Sequence, residues 1–93
     1  MLSLIVRVYY NKLNNRQLEK SLVLLKQLRV LSDNARTKRI EKGLTHEQLS
    51  DESGVNRGTI YQIESGKGNV TIKTLNDVAV ALGVSVTDLL TSW

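Results

Sequence analysis

The chain has 93 residues, a net charge of +4, no cysteine and no proline. That length holds one compact domain and an appendage, and the composition excludes a disulfide framework, a thiolate metal site and, with one histidine, a His-rich metal site. The basic excess lies in the first third, where six Lys/Arg stand against Glu19 over residues 1–31; seven basic residues meet eight acidic ones over 32–93, so any polyanion must be met by a local face rather than by overall charge.

Residues 2–10 are rich in β-branched and aromatic types, with Leu2, Leu4, Val6 and Val8 alternating against Ser3 and Arg7; this predicts a strand. The segment carries Arg7 in its middle and no small-residue cleavage site, so a signal peptide is not expected. No apolar run approaches the roughly 20 residues that span a bilayer, and no membrane partner is expected. An Asn-rich turn over 11–15 follows. From Arg16 to Leu31 the period becomes helical, with Leu18, Leu22, Leu25 and Leu28 on one face among Lys20, Lys26 and Arg29. That stripe is expected to be intramolecular core or a dimer seam.

Ser32 or Asp33 is read as the N-cap of a separate helix running to about Lys42, with Leu31, Ala35 and Ile40 inward and Gly43 as its stop. Thr45-His46-Glu47-Gln48 has capping-box form and opens a short helix to about Ser53, ended by Gly54. Asn56 caps a helix from Arg57 to about Glu64, and residues 65–69 form a loop. Thr71 caps a longer helix with Leu75, Val78, Ala79 and Leu82 inward, ended by Gly83, and Ser85 to Asp88 caps a last one carrying Leu89 and Leu90. The expected fold is all-α: five helices over 31–93, preceded by a strand-plus-helix extension over 1–30. A domain of about 60 residues buries only about 60% of its unfolded surface, and dimerisation would offset that marginality.

Thr45 to Ile63 has the physical requirements of a helix-turn-helix. Ser50 is a small residue where two helices must cross. Gly54, four residues on, supplies a left-handed turn. Ile60, six further, points back into the first helix, and Leu49, Val55 and Ile63 complete the seam. With Gly43-Leu44-Thr45, Gln48-Leu49-Ser50, Ile63-Glu64-Ser65-Gly66, Leu75, Ala81-Leu82-Gly83-Val84-Ser85 and Leu89-Leu90, the stretch from 31 to 91 resembles the phage Cro/repressor (XRE-like) family of helix-turn-helix domains. The chain departs from it at Ser50, where the family usually has alanine, and in the first 30 residues, which the minimal family domain lacks.

The resemblance implies that the helix 57–64 enters the major groove of double-stranded DNA, with Arg57, Gly58, Thr59, Tyr61 and Gln62 at base edges. Arginine can bond guanine O6 and N7 together and glutamine can pair with adenine; Tyr61 is read as a backbone contact or a packing residue. Thr45 and His46 at one helix start, and Ser65, Lys67 and Asn69 after the recognition helix, are expected at phosphates, although His46 and Lys67 are also readable as plain surface residues. Arg39 and Glu64 are expected to form an ion pair clamping the first helix to the end of the recognition helix. No metal, cofactor or catalytic residue is expected: no serine lies in a nucleophile elbow, and the chain is short for a substrate pocket.

A lone strand has unpaired edges, so residues 1–30 are expected to pair in a homodimer, to add to another protein's sheet, or to lay their basic charge along DNA. The implied function is a cytoplasmic, nucleoid-associated transcriptional repressor binding a palindromic operator as a homodimer. The alternatives are an antitoxin whose extension holds a toxin, a restriction–modification controller (a group that Arg57 to Leu75 also resembles, but usually without an extension), and an interaction module with an inactive helix-turn-helix, which Arg57, Thr59 and Gln62 argue against.

Overall fold

The computed structural model describes residues 15–67 and 70–92; the expected strand over 2–10 and most of the turn after it lie outside these. The described residues form α1 (Asn15–Glu41), α2 (His46–Ser53), α3 (Arg57–Glu64), α4 (Ile72–Leu82) and α5 (Val86–Leu90). No helix among them is long and apolar enough to cross a membrane.

Local chemistry sets the boundaries of α2 to α5. The Thr45 hydroxyl oxygen accepts the Gln48 N–H at 3.1 Å, while Gln48 Oε1 accepts the Thr45 N–H at 2.8 Å, which satisfies two donors that a helix start leaves unpaired. Asn56 Oδ1 accepts the Thr59 N–H at 2.7 Å, Thr71 Oγ1 the Thr74 N–H at 3.1 Å, and Ser85 and Asp88 exchange bonds at 3.0 Å each. Gly54 closes α2 at φ 73°, ψ 10°, a left-handed conformation that costs a Cβ-bearing residue energy.

The twelve buried apolar residues of the core are Leu31 and Ala35 of α1, Leu49, Val55, Ile60, Ile63, Leu75, Val78, Ala79, Ala81, Leu82 and Leu89. α1 packs on α3, α5 and α4, and α4 also meets α2 and α5. Two polar links tie helix ends together. Asn34, buried on α1, donates from Nδ2 to the carbonyls of Leu89 at 2.9 Å and Thr91 at 2.8 Å. Lys42 Nζ donates to the Ala81 carbonyl at 2.6 Å. Both satisfy carbonyls near helix C-termini that have no intrahelical partner.

Three expectations are corrected. Residues 16–31 and 33–42 are not two helices: α1 runs unbroken for 27 residues, so the domain boundary expected at residue 30 falls in mid-helix. Neither glycine nor proline interrupts it, and Leu28, Leu31 and Ala35 keep one apolar face in phase across Ser32. The Ser32 hydroxyl donates to the Glu64 carbonyl and does not cap. Ile40 points outward and is exposed, because α1 turns Arg39 rather than its neighbour toward α3. Nor do the other described residues bury the leucine stripe: Leu22 and Leu25 are exposed, and Leu18 and Leu28 are only partly covered.

Candidate nucleic-acid interface

α2 and α3 meet across a turn of three residues, Gly54 to Asn56. Ser50 is small enough for the crossing and its hydroxyl adds a bond, donating to the Val55 carbonyl at 2.6 Å. Ser53 Oγ accepts the Val55 N–H at 3.2 Å. The turn is therefore fastened by two serine side chains as well as by burial of Val55 and Ile60, and the departure from alanine at position 50 has a structural use.

α3 is two-faced. Ile60, Ile63 and Glu64 are buried, while Arg57, Gly58, Tyr61 and Gln62 are exposed on the opposite side, with Thr59 between. Spacings of one, four and five residues put the exposed set on one surface. A Cβ at Gly58 would lie 3.3 Å from Asn56 Oδ1, so the glycine leaves room for the N-cap. Arg57 Nη1 stands 4.0 Å from Glu47 Oε2, both side chains well exposed. The far end of α3 is closed by the N–H groups of Ser65, Gly66 and Lys67, which donate to the carbonyls of Tyr61, Ile63 and Gln62. Gly66, at φ 73°, makes that closure possible without strain.

The orientation of α3 rests on Glu64. Its buried carboxylate accepts Arg39 Nε at 2.9 Å on Oε2 and Nη2 at 3.1 Å on Oε1, a bidentate, charge-assisted pair. Arg39 Nη1 also donates to the Leu44 carbonyl at 2.8 Å. His46 Nε2 lies 3.2 Å from Glu64 Oε1; an ionised carboxylate only accepts, so Nε2 carries the proton in this bond. The His46 ring packs on Tyr61 with centroids 4.3 Å apart. One carboxylate on α3 thus receives donors from α1 and α2.

The residues expected at phosphates fall in three groups. Thr45 is exposed and caps α2, with its hydroxyl hydrogen still available. Ser65, whose hydroxyl donates to the Gln62 carbonyl at 3.1 Å, and Lys67 are exposed beyond α3. His46 is turned by its Nε2 toward Glu64, and Asn69 lies outside the described residues. Sequence reasoning missed Arg36. It is exposed and shares a surface concavity with Arg39, His46, Tyr61, Glu64 and Ser65. Its spacing of three residues from Arg39 is the signal that placed it there.

A profile of the helix-turn-helix family matches residues 36–89. The chain belongs to the helix-turn-helix family of transcriptional regulators. It is 43% identical over 60 residues to the HTH-type transcriptional regulator y4dJ of Sinorhizobium fredii, covering 64% of this chain and 77% of that one. It is 42% identical over 62 residues to control protein C.SmaI of Serratia marcescens, covering 67% and 74%. Among solved structures it is similar to the restriction-modification controller protein C.AhdI from Aeromonas hydrophila, with a TM-score of 0.63 and 31% identity over 67% of this chain and 94% of the other. In this helix-turn-helix domain α2 and α3 are the two helices of the motif, and α1, α4 and α5 form their support.

Proposed function

We propose that this regulator binds a palindromic operator as a homodimer, with α3 in the major groove, and represses transcription without catalysing a reaction. The observation that carries the reading is the face of α3: Arg57, Gly58, Tyr61 and Gln62 exposed together on a helix whose other side is held by the core and by Glu64. Arg57 is assigned a guanine and Gln62 an adenine; Thr59 is assigned a thymine methyl or a phosphate, and Tyr61 the backbone. Thr45, Ser65, Lys67 and Asn69 set the register on phosphates, and Arg36 extends that set. His46 braces Tyr61 from behind. The site of action is the nucleoid in the cytoplasm.

A second reading, control of a restriction–modification operon, is favoured by the likeness to C.SmaI and C.AhdI. A methyltransferase gene beside this one would support it, and the protein–DNA chemistry would be unchanged.

The test is fluorescence anisotropy with DNA from upstream of the gene and with scrambled DNA, at two salt concentrations, for the native protein and Arg57→Ala. Specific sites are bound about 10³–10⁷-fold more tightly than random DNA, and binding through phosphates weakens with salt. A preference of that order, erased by Arg57→Ala, supports the proposal. Equal and weak binding of both DNAs, unchanged by the substitution, refutes autoregulation through α3.

A further inference from the structure

Glu47 places a carboxylate beside the surface of α3 that is assigned to DNA. It is the second residue of α2 and its side chain is 72% exposed. Negative charge at a helix start is favourable in itself, but the cap of α2 is made by Thr45 and Gln48, so the Glu47 side chain has no part in it. Its Oε2 lies instead 4.0 Å from Arg57 Nη1, across the turn of the motif. Glu52, five residues on, faces Lys42 at 3.9 Å, so these two carboxylates of α2 serve different neighbours. Arg57 opens α3, whose first turn holds no acidic residue. The helix dipole disfavours a cation there, and Glu47 brings the missing negative charge from the other helix. Along α3 itself Arg57 has little support: Gly58 carries no side chain, Ile60 is buried, and the Tyr61 ring packs on His46.

We infer that Glu47 is a positioning residue for Arg57 and raises the selectivity of the protein for its DNA sequence; the inference rests on the placement of α3 in the major groove proposed above. An arginine carries five N–H donors in a planar fork. Arg39 shows how this chain divides them: Nε and Nη2 hold a carboxylate, and Nη1 serves a further acceptor. In Arg57 the Nη1 side is turned to Glu47, which leaves the Nε and Nη2 edge for guanine O6 and N7. At a guanine, both partners are kept. A phosphate is different, because it brings like charge up to Glu47, and Arg57 must leave the carboxylate to neutralise it. Glu47 thus withholds Arg57 from the backbone contacts that supply binding to random DNA while leaving it able to reach a guanine. The carboxylate lowers affinity for all DNA and lowers it least at the operator.

The experiment is fluorescence anisotropy of the full chain on upstream and scrambled DNA over a series of salt concentrations, for the native protein, Glu47→Gln, Arg57→Ala and the two substitutions together. Glu47→Gln is expected to bind upstream DNA a few-fold more tightly. It is expected to bind scrambled DNA about ten-fold more tightly, the effect of one added phosphate contact near about 0.1 M salt, so the preference falls about three-fold. On scrambled DNA the slope of log K against log salt should steepen by about 0.9, the signature of that contact. The slope should not steepen on upstream DNA, nor in the Arg57→Ala background. Asp51→Asn removes an exposed carboxylate one turn further along α2 and should strengthen binding to both DNAs alike. An unchanged preference and slope for Glu47→Gln overturn the inference. So does a slope that steepens equally without Arg57, because Glu47 then only repels phosphates. The slopes on scrambled DNA need no operator: if the native protein shows no preference for upstream DNA, the proposed function fails, and those slopes still decide whether Glu47 holds Arg57.

Discussion

Replacing Arg39 by alanine tests whether the Glu64 cluster positions α3. The side chains of Arg39 and Glu64 are 11% and 5% exposed, so solvent screens the pair little. The substitution removes two bonds to the carboxylate and one to the Leu44 carbonyl, leaving the Glu64 carboxylate with the His46 ring as its neighbouring donor. Breaking a buried pair from one side costs about 3–5 kcal/mol. Each kcal/mol lowers Tm by about 4–8 °C in a domain of 60–100 residues, so a fall of at least about 12 °C is expected in a thermal melt followed by circular dichroism. Arg39→Met with Glu64→Gln should recover part of the loss, because no charge is then left buried alone. A change below about 1 kcal/mol for Arg39→Ala in urea titration would refute the reasoning, placing the pair with surface ion pairs that hold nothing.

Glu47→Gln removes a carboxylate from the neighbourhood of Arg57. At 4.0 Å and well exposed, the pair contributes within about 0.5 kcal/mol to stability, so the melt should not move while operator affinity rises a few-fold in anisotropy; unchanged affinity would show that Glu47 does not compete for Arg57. Asn34→Ala leaves the carbonyls of Leu89 and Thr91 without their side-chain donor and should cost about 1–3 kcal/mol in urea titration, and a loss within about 0.5 kcal/mol would mean that water replaces the amide. The Ser85 backbone N–H, then its hydroxyl, hold the Asp88 carboxyl below its ordinary range. A carboxyl depressed in the folded state stabilises above its unfolded value and loses that contribution as pH falls through the folded one. The native chain should therefore lose more stability than Asp88→Asn on acidification from about pH 4 downward, and parallel curves would count against the capping bond.

The elements from Thr45 to Leu90 were legible because their signals are local. A hydroxyl or amide three residues before its N–H partner, and a glycine at a left-handed stop, do not depend on the rest of the chain. The apolar faces around Leu49, Ile60, Val78 and Leu89 were legible for the same reason. Ser32 misled because its residue type suits a cap, whereas its hydroxyl is used by Glu64 in another helix. His46 was read from its place at a helix start, and Tyr61 and Glu64, eighteen residues away at the furthest, decide where it points. Asn34 gave no signal at all: its partners are 55 and 57 residues along the chain. Leu18, Leu22, Leu25 and Leu28 were read as one helical stripe and do lie on α1, but periodicity cannot say whether the covering surface belongs to the same chain.

In the proposed dimer, two recognition helices enter successive major grooves about 34–36 Å apart, and the angle at which each α3 is held decides whether both fit. In this chain α1 is continuous from the apolar patch at Leu22 to Arg39, and Arg39 grips Glu64 at the end of α3. Arg39→Ala therefore acts twice, first on stability and then on the angle at which α3 is held against the core. A variant pair that restores stability without the Glu64 carboxylate, such as Arg39→Met with Glu64→Gln, should still bind operator DNA less selectively than the native chain. Equal selectivity would mean that the core contacts of Ile60 and Ile63 suffice to aim the recognition helix.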